Sequence, residues 1–537
     1  MKKIFLGLVC IINLHLISCR ISPLEPPSLV VLIVVDQMRP DLLTRYDELY
    51  TGGFRWLIDN GIWFKDTHHE HGYTATGPGH AAIGFGQYPG KVGVIGNSFY
   101  DRILKKKVNC VEDPNAIVVG SNKGKARSSS RYDTQGLGDW IKLKNSNSKV
   151  LSIGGKDRAA CFLGGKNPDQ AIYYNKAGAF ISSNYYVNEL PQWATKFNQK
   201  FKTKKYGDSL WQKSLHDDLY LQYAREDYFY GEEDNYLNDE YSPIFPIGIN
   251  IGENPLSVLM GTPWFEREIL ELSKDAIISE SLGLDNAPDL LAIGFSAMDW
   301  IIHSYGPYSQ ETMDACIKLD QYLGKFIEFL DVQVGLDNIF FTLTADHGGL
   351  PLPEYLIGKG EKGGRINKKH MQEALRWIDD ECQEIYGNKL YHRDGANFFL
   401  DWDMMKKKDI NSNNIYNIID KYLTKVEGID RIVLKENILG SEDTSIFVRR
   451  LKHMIHEEKS PEIFPIVSKG YIYRESLGTS HGTPYDYDTH VPLIFARQGF
   501  KMSERFNRLA TVDIAPTIAQ YLDIQIPDYC DGKMVDL

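Results

Sequence analysis

The stretch that decides the fold is 28–35, SLVVLIVV, which is followed directly by Asp36. A continuous run of Val, Leu and Ile is typical of a strand that is buried on both faces of a parallel sheet. Amphipathic stretches with helical spacing, around 308–330 and 369–386, separate further runs of the same kind. Those further runs cover 149–153, 289–295, 338–343 and 490–496.

This alternation predicts an α/β fold built on one mostly parallel sheet, with a single large domain over 27–537. Insertions are expected at about 195–248 and 351–470, where the apolar runs give way to polar sequence. The acidic and aromatic stretch 226–241 within the first insertion is open to two interpretations: a cap facing the substrate, or a solvated surface insertion whose tyrosines pack inward.

The composition excludes several classes of protein. The 537 residues carry 60 Lys and Arg against 71 Asp and Glu, a formal net charge of −11. Nucleic-acid binders need a basic surface, so nucleic acid is not expected as a partner. The apolar fraction of 43% argues against extensive disorder and indicates a well-cored globular protein.

The amino end is typical of an export signal. Lys2 and Lys3 precede an apolar run over 4–12, and Leu16-Ile17-Ser18-Cys19 resembles the lipobox of bacterial lipoproteins. We therefore expect a signal peptide over 1–19, cleavage before Cys19, and a periplasmic or membrane-anchored lipoprotein of a bacterium. A plain signal peptide cut nearby, or a weak amino-terminal anchor, is the alternative.

Potential metal ligands or phosphate-binding residues follow four of the apolar runs. Because the carboxyl ends of parallel strands meet at one edge of a sheet, we expect these side chains to converge. Asp and His are suitable zinc ligands, and two cations about 4 Å apart assist phosphoryl transfer. Ligand type alone leaves manganese and cobalt open. The residues are Asp36, Lys156 and Arg158, Asp299 and His303, and Asp346 and His347, with His481 as a further imidazole.

The candidate nucleophile is Thr76, in Thr76-Gly77-Pro78-Gly79-His80. Pro78 suits the first turn of a helix, and a helix amino end attracts phosphate through its N–H groups. Thr74 is the rival hydroxyl.

These motifs resemble the alkaline phosphatase superfamily, and in particular the PafA-type alkaline phosphatases, which use a threonine nucleophile. The resemblance covers nearly the whole mature chain. It implies a three-layer sandwich with helices on both faces of the sheet and inserted cap segments. The motifs that carry it are Asp36, Thr76-Gly77-Pro78-Gly79-His80, Gly96-Asn97, Lys156-Asp157-Arg158, Asp299-x-x-x-His303, Asp346-His347-Gly348, Ser480-His481-Gly482 and the segment 511–517.

The resemblance also implies the roles of the site residues. One zinc ion would be held by Asp299, His303 and His481, and a second by Asp36, Asp346 and His347 together with the Thr76 oxygen. Thr76 would form a phosphothreonine intermediate that water then hydrolyses, releasing inorganic phosphate. Lys156, Arg158 and Asn97 would bind the phosphoryl oxygens.

The expected activity is therefore hydrolysis of small phosphate monoesters, without an obligate protein partner. Two alternatives stay open. A phosphodiesterase or nucleotide pyrophosphatase would share the metal ligands but lack the Lys156-x-Arg158 pair, and a cell-surface binding protein would keep the fold without turnover.

Overall fold

The computed structural model describes residues 25–203, 206, 209–233, 243–248, 256 and 258–537. The predicted export segment 1–19 and part of the acidic stretch 226–241 lie outside the described residues. Within the part that is described, no helix is both long and apolar enough to span a membrane.

The helices and strands alternate along most of the chain. The strands are β1 Leu29–Val35, β2 Gly61–His68, β3 Ser98–Asp101, β4 Lys106–Asn109, β5 Val118–Val119, β6 Val150–Gly154, β7 Gln170–Tyr174, β8 Phe180–Ser183, β9 Leu210–Trp211, β10 Ile247–Gly248, β11 Asp289–Phe295, β12 Ile339–Thr344, β13 Gly364–Arg365, β14 Tyr391–Asp394, β15 Asn397–Leu400, β16 Ile429–Leu434, β17 Ile463–Val467, β18 Tyr471–Ile472, β19 His490–Ala496, β20 Ser503–Arg505 and β21 Leu509–Ala510. The helices are α1 Pro40–Arg45, α2 Gly53–Asp59, α3 Thr76–Phe85, α4 Pro89–Val92, α5 Leu137–Lys144, α6 Asp157–Leu163, α7 Gln192–Thr203, α8 Asp217–Tyr223, α9 Pro263–Glu280, α10 Ala297–Tyr305, α11 Gln310–Gln333, α12 Pro353–Gly358, α13 Lys368–Tyr386, α14 Trp402–Lys407, α15 Ser412–Leu423, α16 Lys435–Leu439, α17 Ile446–Met454, α18 Asp486–Thr489 and α19 Ile514–Tyr521.

The main sheet has the strand order β20-β2-β19-β12-β1-β11-β6-β7-β8-β5, and β21 also pairs with β2. Strand β1 lies between β11 and β12 and is parallel to both, and the run β11-β6-β7 is parallel as well. This arrangement confirms the predicted mostly parallel sheet.

Strand β19 corrects one expectation. The sequence run 490–496 was predicted among the parallel strands, but β19 is antiparallel to both of its neighbours, β12 and β2. A continuous apolar run reports burial on both faces of a sheet and carries no information on strand direction.

Successive side chains of β1 enter two separate cores. Val31, Ile33 and Val35 pack on the face that is covered by α2, α9 and α11. Val30 and Val34 pack on the opposite face, together with side chains of α3, α5 and α19. Helices on both faces give the three-layer arrangement, and full burial of each Val or Leu contributes about 1.5–3 kcal/mol.

The segment from 364 to 472 contains a second, smaller sheet. Strands β14, β15, β17 and β16 form it in that order, and α13 and α15 pack on it through their own apolar core, which includes Ile378, Phe398 and Ile415. Helix α17 of this segment packs against α4, close to the carboxyl end of α3.

Candidate active site

The predicted site residues lie where strands of the main sheet end. Asp36 follows β1, and Lys156 immediately precedes α6 in the connection from β6. Asp299 lies in the first turn of α10, which follows β11, and Asp346 follows β12. Because these four strands are parallel neighbours, their carboxyl ends share one edge of the sheet, and their side chains converge there.

Asp36, Asp346 and His347 form one group of candidate ligands, and all three are fully buried. The Nε2 atom of His347 lies 3.5 Å from Asp36 Oδ1 and 3.6 Å from Asp346 Oδ2. One ligand atom from each residue lies within 4.8 Å of the others. Three protein ligands at this spacing suit one divalent cation.

Asp299, His303 and His481 form a second group. The Nε2 atoms of His303 and His481 lie 3.3 Å and 3.7 Å from Asp299 Oδ1. His347 stacks on His481 with ring centroids 3.7 Å apart, and its ligand atom also lies within 4.8 Å of those of Asp299 and His481. By distance, His347 therefore borders both groups, whereas the family resemblance implied that it belongs to one.

The three imidazoles share one hydrogen-bond pattern. The Nδ1 atom of His303 donates to the Thr479 carbonyl at 2.7 Å, and that of His481 donates to the Thr74 carbonyl at 2.7 Å. His347 donates in the same way to the Gly348 carbonyl at 2.8 Å. A backbone acceptor at Nδ1 leaves the lone pair on Nε2, which faces the carboxylates, and this is the tautomer that binds a metal.

Unpartnered polar atoms test whether these residues fit a metal. Asp36 Oδ1 and His347 Nε2 are buried, and neither has a hydrogen-bond partner among the described residues. Buried polar atoms are normally paired, and a place for a bound ion is one of the accepted reasons for an exception. Carboxylate oxygens with imidazole nitrogens are also a donor set that zinc accepts. The residues therefore fit a divalent metal.

Thr76 is the first residue of α3 and is buried. The Lys156 ammonium lies 3.3 Å from Thr76 Oγ1, 2.7 Å from Asp36 Oδ2 and 2.5 Å from Asp299 Oδ2. Lys156 thus contacts a carboxylate of each ligand group and the candidate nucleophile. Thr74, the rival hydroxyl, donates to the Thr483 carbonyl.

The two remaining predicted residues lie beside Thr76 and Lys156. Asn97 Oδ1 accepts a hydrogen bond from the Gly77 N–H at 2.7 Å, which holds the Asn97 amide against the amino end of α3. The Arg158 guanidinium donates to Asp157 Oδ1 at 3.0 Å, while its buried Nε has no hydrogen-bond partner among the described residues. An unmatched cationic donor of this kind suits an anionic ligand.

The charges of the site act strongly on one another. Burial, together with repulsion from Asp299 and Asp346, raises the pKa of Asp36 well above its ordinary value. Burial opposes ionisation of Asp299 too, but Lys156 and His303 outweigh it and hold the pKa of Asp299 well below its ordinary value. Burial lowers the pKa of His347 and His481, so both rings are neutral and available as ligands.

Three residues that support the site were missed by the sequence analysis. Gln37 has a left-handed backbone (φ 63°), and its N–H donates to Asp346 Oδ1 at 3.1 Å. Asp488 Oδ2 accepts from the N–H groups of Gly482 and Thr483, which fixes the loop that carries His481. Only Gln37, next to Asp36, had a sequence neighbour that could have signalled a role.

The third missed residue is Glu266. Its carboxylate is buried and accepts from the N–H groups of Ser296 and Ala297, at the amino end of α10. Burial raises the pKa of Glu266 to about 8, against hydrogen bonds that lower it. Glu266 lies on α9, far from any motif, so no spacing in the sequence could have pointed to it.

His80, on α3, connects this helix to a candidate metal ligand. His80 Nδ1 lies 2.8 Å from the Thr76 carbonyl and 3.2 Å from Asp346 Oδ2, so the ring joins α3 to the loop after β12. His69 lies with Nε2 2.9 Å from the Ala345 carbonyl and supports the same loop.

Comparisons with known proteins agree with this geometry. Residues 30–486 match the model of the type I phosphodiesterase/nucleotide pyrophosphatase family. The alkaline phosphatase PhoV of Synechococcus elongatus is 30% identical over 518 residues, which cover 95% of this chain and 92% of the relative. The alkaline phosphatase PafA of Elizabethkingia meningoseptica is 28% identical over 552 residues, covering 99% and 98%.

A solved structure of wild-type alkaline phosphatase PafA superposes with a TM-score of 0.87 at 27% identity, and the match covers 96% of this chain and 99% of that one. Murine ectonucleotide pyrophosphatase/phosphodiesterase 5, at 14% identity and a TM-score of 0.53, shares the fold. The matched residues, the relatives and the strand-end site agree: this chain belongs to the type I phosphodiesterase/nucleotide pyrophosphatase family of the alkaline phosphatase superfamily, and within that superfamily to the PafA-like group.

Proposed function

We propose that this protein is an exported, zinc-dependent phosphatase that hydrolyses phosphate monoesters through a covalent phosphothreonine at Thr76. The observation that carries this proposal is the position of Lys156, whose ammonium contacts Thr76 Oγ1 and one carboxylate of each ligand group. A cation in this position, with Arg158 two residues further on, is what a terminal phosphate with several charged oxygens requires.

Two zinc ions complete the proposed site. Asp36, Asp346 and His347 would hold one ion, with Thr76 Oγ1 as a further ligand, and Asp299, His303 and His481 would hold the other. When bound, the metals supply Lewis-acid stabilisation of the attacking and leaving oxygens and lower the pKa of a bound hydroxyl.

The protein positions the nucleophile for attack. Thr76 opens α3, where the first N–H groups have no carbonyl partner within the helix and the helix dipole favours a phosphoryl group. Its Oγ1 bonds to phosphorus as the bond to the leaving oxygen breaks, and water then releases phosphate and restores the hydroxyl. Burial of Thr76 excludes bulk water from the attacking oxygen.

The cationic pair sets the preference for monoesters. A monoester presents one more charged oxygen than a diester, and Lys156 and Arg158 would bind it. Asn97, anchored through its Oδ1 on the Gly77 N–H, would donate its NH2 group to another phosphoryl oxygen. Each lost contact to a charged oxygen costs about 1.5–3 kcal/mol.

The decisive experiment compares zinc-loaded wild type with Thr76→Ala and with Lys156→Ala/Arg158→Ala on p-nitrophenyl phosphate and bis-p-nitrophenyl phosphate. The double variant should lose roughly 10²–10⁴-fold in kcat/KM toward the monoester and far less toward the diester. Lys425→Ala/Arg431→Ala, which removes the same two charges from exposed positions of the small sheet segment, serves as the control. A wild-type preference for the diester that ignores the cationic pair would instead favour a phosphodiesterase.

Export and lipid attachment form a separate part of the proposal. We propose that Cys19 becomes the lipidated first residue after removal of 1–18. Mass spectrometry of the membrane fraction should find a diacylated Cys19, and Cys19→Ser should abolish that modification. A wild-type chain that starts at another residue and carries no lipid contradicts this part without touching the chemistry of the site.

A further inference from the structure

A cavity of about 520 Å³ opens directly beside the proposed phosphoryl site. Its lining includes Lys156 and Arg158, and also Trp300, the neighbour of Asp299 on α10. Because Lys156 Nζ also lies 3.3 Å from Thr76 Oγ1, a phosphoryl group at Thr76 would have this cavity next to it. The volume is in the range of small-molecule sites and exceeds what a single phosphate group needs.

The lining is strongly cationic. Lys125, Arg127 and Lys176 join Lys156 and Arg158, and Asp157 is the acidic residue among the lining side chains. Asp157 is already shared, since its Oδ2 lies 2.9 Å from Arg127 Nε and its Oδ1 accepts from Arg158. A concave surface with this excess of one charge concentrates counter-charged ligands.

Two of the lysines have no acidic partner in the described part of the chain. Lys125 and Lys176 are exposed, and no described carboxylate lies within ion-pair distance of either ammonium. Lys176 lies over the Trp300 ring, with Nζ 4.6 Å from the ring centroid. Although its side chain is exposed, partial desolvation of the ammonium, together with the charges of Lys156 and Arg158, lowers the pKa of Lys176.

We propose that this cavity is a leaving-group subsite, in which Lys125 and Lys176 bind a second anionic group, a phosphate or a carboxylate, on the alcohol portion of the monoester. The inference rests on the proposed phosphomonoesterase function and adds a substrate class to it: monoesters whose leaving group is itself anionic. Lys156 and Arg158 would serve the transferred phosphoryl group, while Lys125 and Lys176 would serve the group that departs.

The test uses three matched substrates and the zinc-loaded full-length enzyme. Propyl phosphate carries no second charge, propane-1,3-diyl bisphosphate carries a second phosphate, and 3-(phosphonooxy)propanoate carries a carboxylate. Phosphate release gives kcat/KM for each in wild type, in Lys125→Gln/Lys176→Gln, and in Lys368→Gln/Lys369→Gln. The last variant makes the same change of charge at two exposed residues at the start of α13.

In wild type, kcat/KM per phosphate group should be about tenfold or more higher for the bisphosphate than for propyl phosphate. In Lys125→Gln/Lys176→Gln this preference should fall below about threefold, mainly through KM, while the control variant retains it. Raising NaCl from 25 to 300 mM should weaken the preference, since these exposed charges are screened by salt. If 3-(phosphonooxy)propanoate is preferred over propyl phosphate to a similar degree, the subsite binds anionic groups in general. If it is not preferred, the subsite is specific for phosphate.

Two results overturn the inference, and they differ. Hydrolysis of propyl phosphate with no preference for the charged substrates, or a preference that survives loss of both lysines, removes the subsite and leaves the phosphatase proposal intact. If none of the three substrates shows zinc-dependent hydrolysis that Thr76→Ala abolishes, the proposed function fails, and the subsite fails with it.

Discussion

Replacing Lys156 with Met tests how the buried charges of the site are balanced. In the metal-free protein the Lys156 ammonium is the cation in contact with both Asp36 and Asp299, at 2.7 and 2.5 Å. The side chain of Lys156 is 10% exposed, and those of Asp36 and Asp299 are 0% and 6% exposed. Breaking a buried pair by removing one partner costs about 3–5 kcal/mol, because the remaining charges stay buried without compensation.

The loss should depend on metal. With a chelator present, Lys156→Met should lower the free energy of unfolding by about 3–5 kcal/mol. With saturating zinc the difference should shrink to about 1 kcal/mol or less, because bound divalent cations neutralise the same carboxylates. Urea unfolding followed by tryptophan fluorescence measures both values. Met has a similar length and keeps the packing of the aliphatic stem.

Acid provides a second arm of the same test. The folded pKa of Asp299 is depressed, so the stability it contributes is present above its ordinary value of 3.8 and is lost as the pH falls through the folded value. The gap between metal-free wild type and Lys156→Met should therefore begin to narrow as the pH falls below 3.8.

The control is Lys142→Met, since Lys142 pairs at 2.8 Å with Asp169 in a more exposed ion pair that should contribute at most about 1 kcal/mol. Equal destabilisation of Lys156→Met with and without zinc would mean that Lys156 acts by packing. No destabilisation in chelator would mean that the ammonium does not balance these carboxylates. Either result refutes the reasoning.

Three further predictions test other parts of the site. Gly79→Ala should destabilise the protein by about 1–3 kcal/mol in urea unfolding, because a Cβ there would lie 1.9 Å from the Asp346 carbonyl oxygen, whereas Gly358→Ala, with nothing within 4 Å, should not. The pKa of Glu266 is raised to about 8, so the folded protein holds a proton that the unfolded chain releases, and stability should fall as the pH rises from 4.5 toward 8. Glu266→Gln should make the melting temperature depend less on pH over this range. An unchanged pH dependence would contradict this prediction. His481→Ala should lower bound zinc, measured by atomic emission after dialysis, from two ions toward one per chain, and retention of two would remove His481 from the ligand set.

The sequence carried most of the fold because burial of a strand on both faces leaves a direct trace. The seven residues of β1 are all buried, and the unbroken apolar run 28–35 predicts this burial. Strand direction left no such trace, and β19 was misassigned for that reason. Direction depends on the path of the connection between strands, which a local pattern does not record.

The candidate ligands were predictable for a related reason. An Asp directly after a buried strand is conspicuous, and several such positions must meet if the strands are parallel. Glu266 and Asp488 were not predictable, since each acts through backbone N–H groups that are brought to it only by the tertiary fold. The residues next to a buried carboxylate that accepts hydrogen bonds from a distant loop do not distinguish it from a carboxylate exposed to solvent.

Helix α3 shows how the packing of small residues sets the geometry of the site. Thr76 opens this helix, and Gly79 packs against the carbonyl of Asp346 on one side. On another side Gly84 packs against the carbonyl of Phe162 on α6, where an added Cβ would lie 2.2 Å from that oxygen. The loop of Asp346 and the helix that begins just after Lys156 are thus both held against the helix of Thr76.

Closely packed backbones cannot shift without a clash. The missing side chains of Gly79 and Gly84 therefore fix the distances from Thr76 to Asp346 and to Lys156. The glycines that indicate a phosphate-binding helix start therefore also set the position of Thr76 relative to Asp346 and Lys156. Larger residues at Gly79 or Gly84 should therefore lower kcat toward p-nitrophenyl phosphate, because they would move Thr76 relative to Asp346 and Lys156.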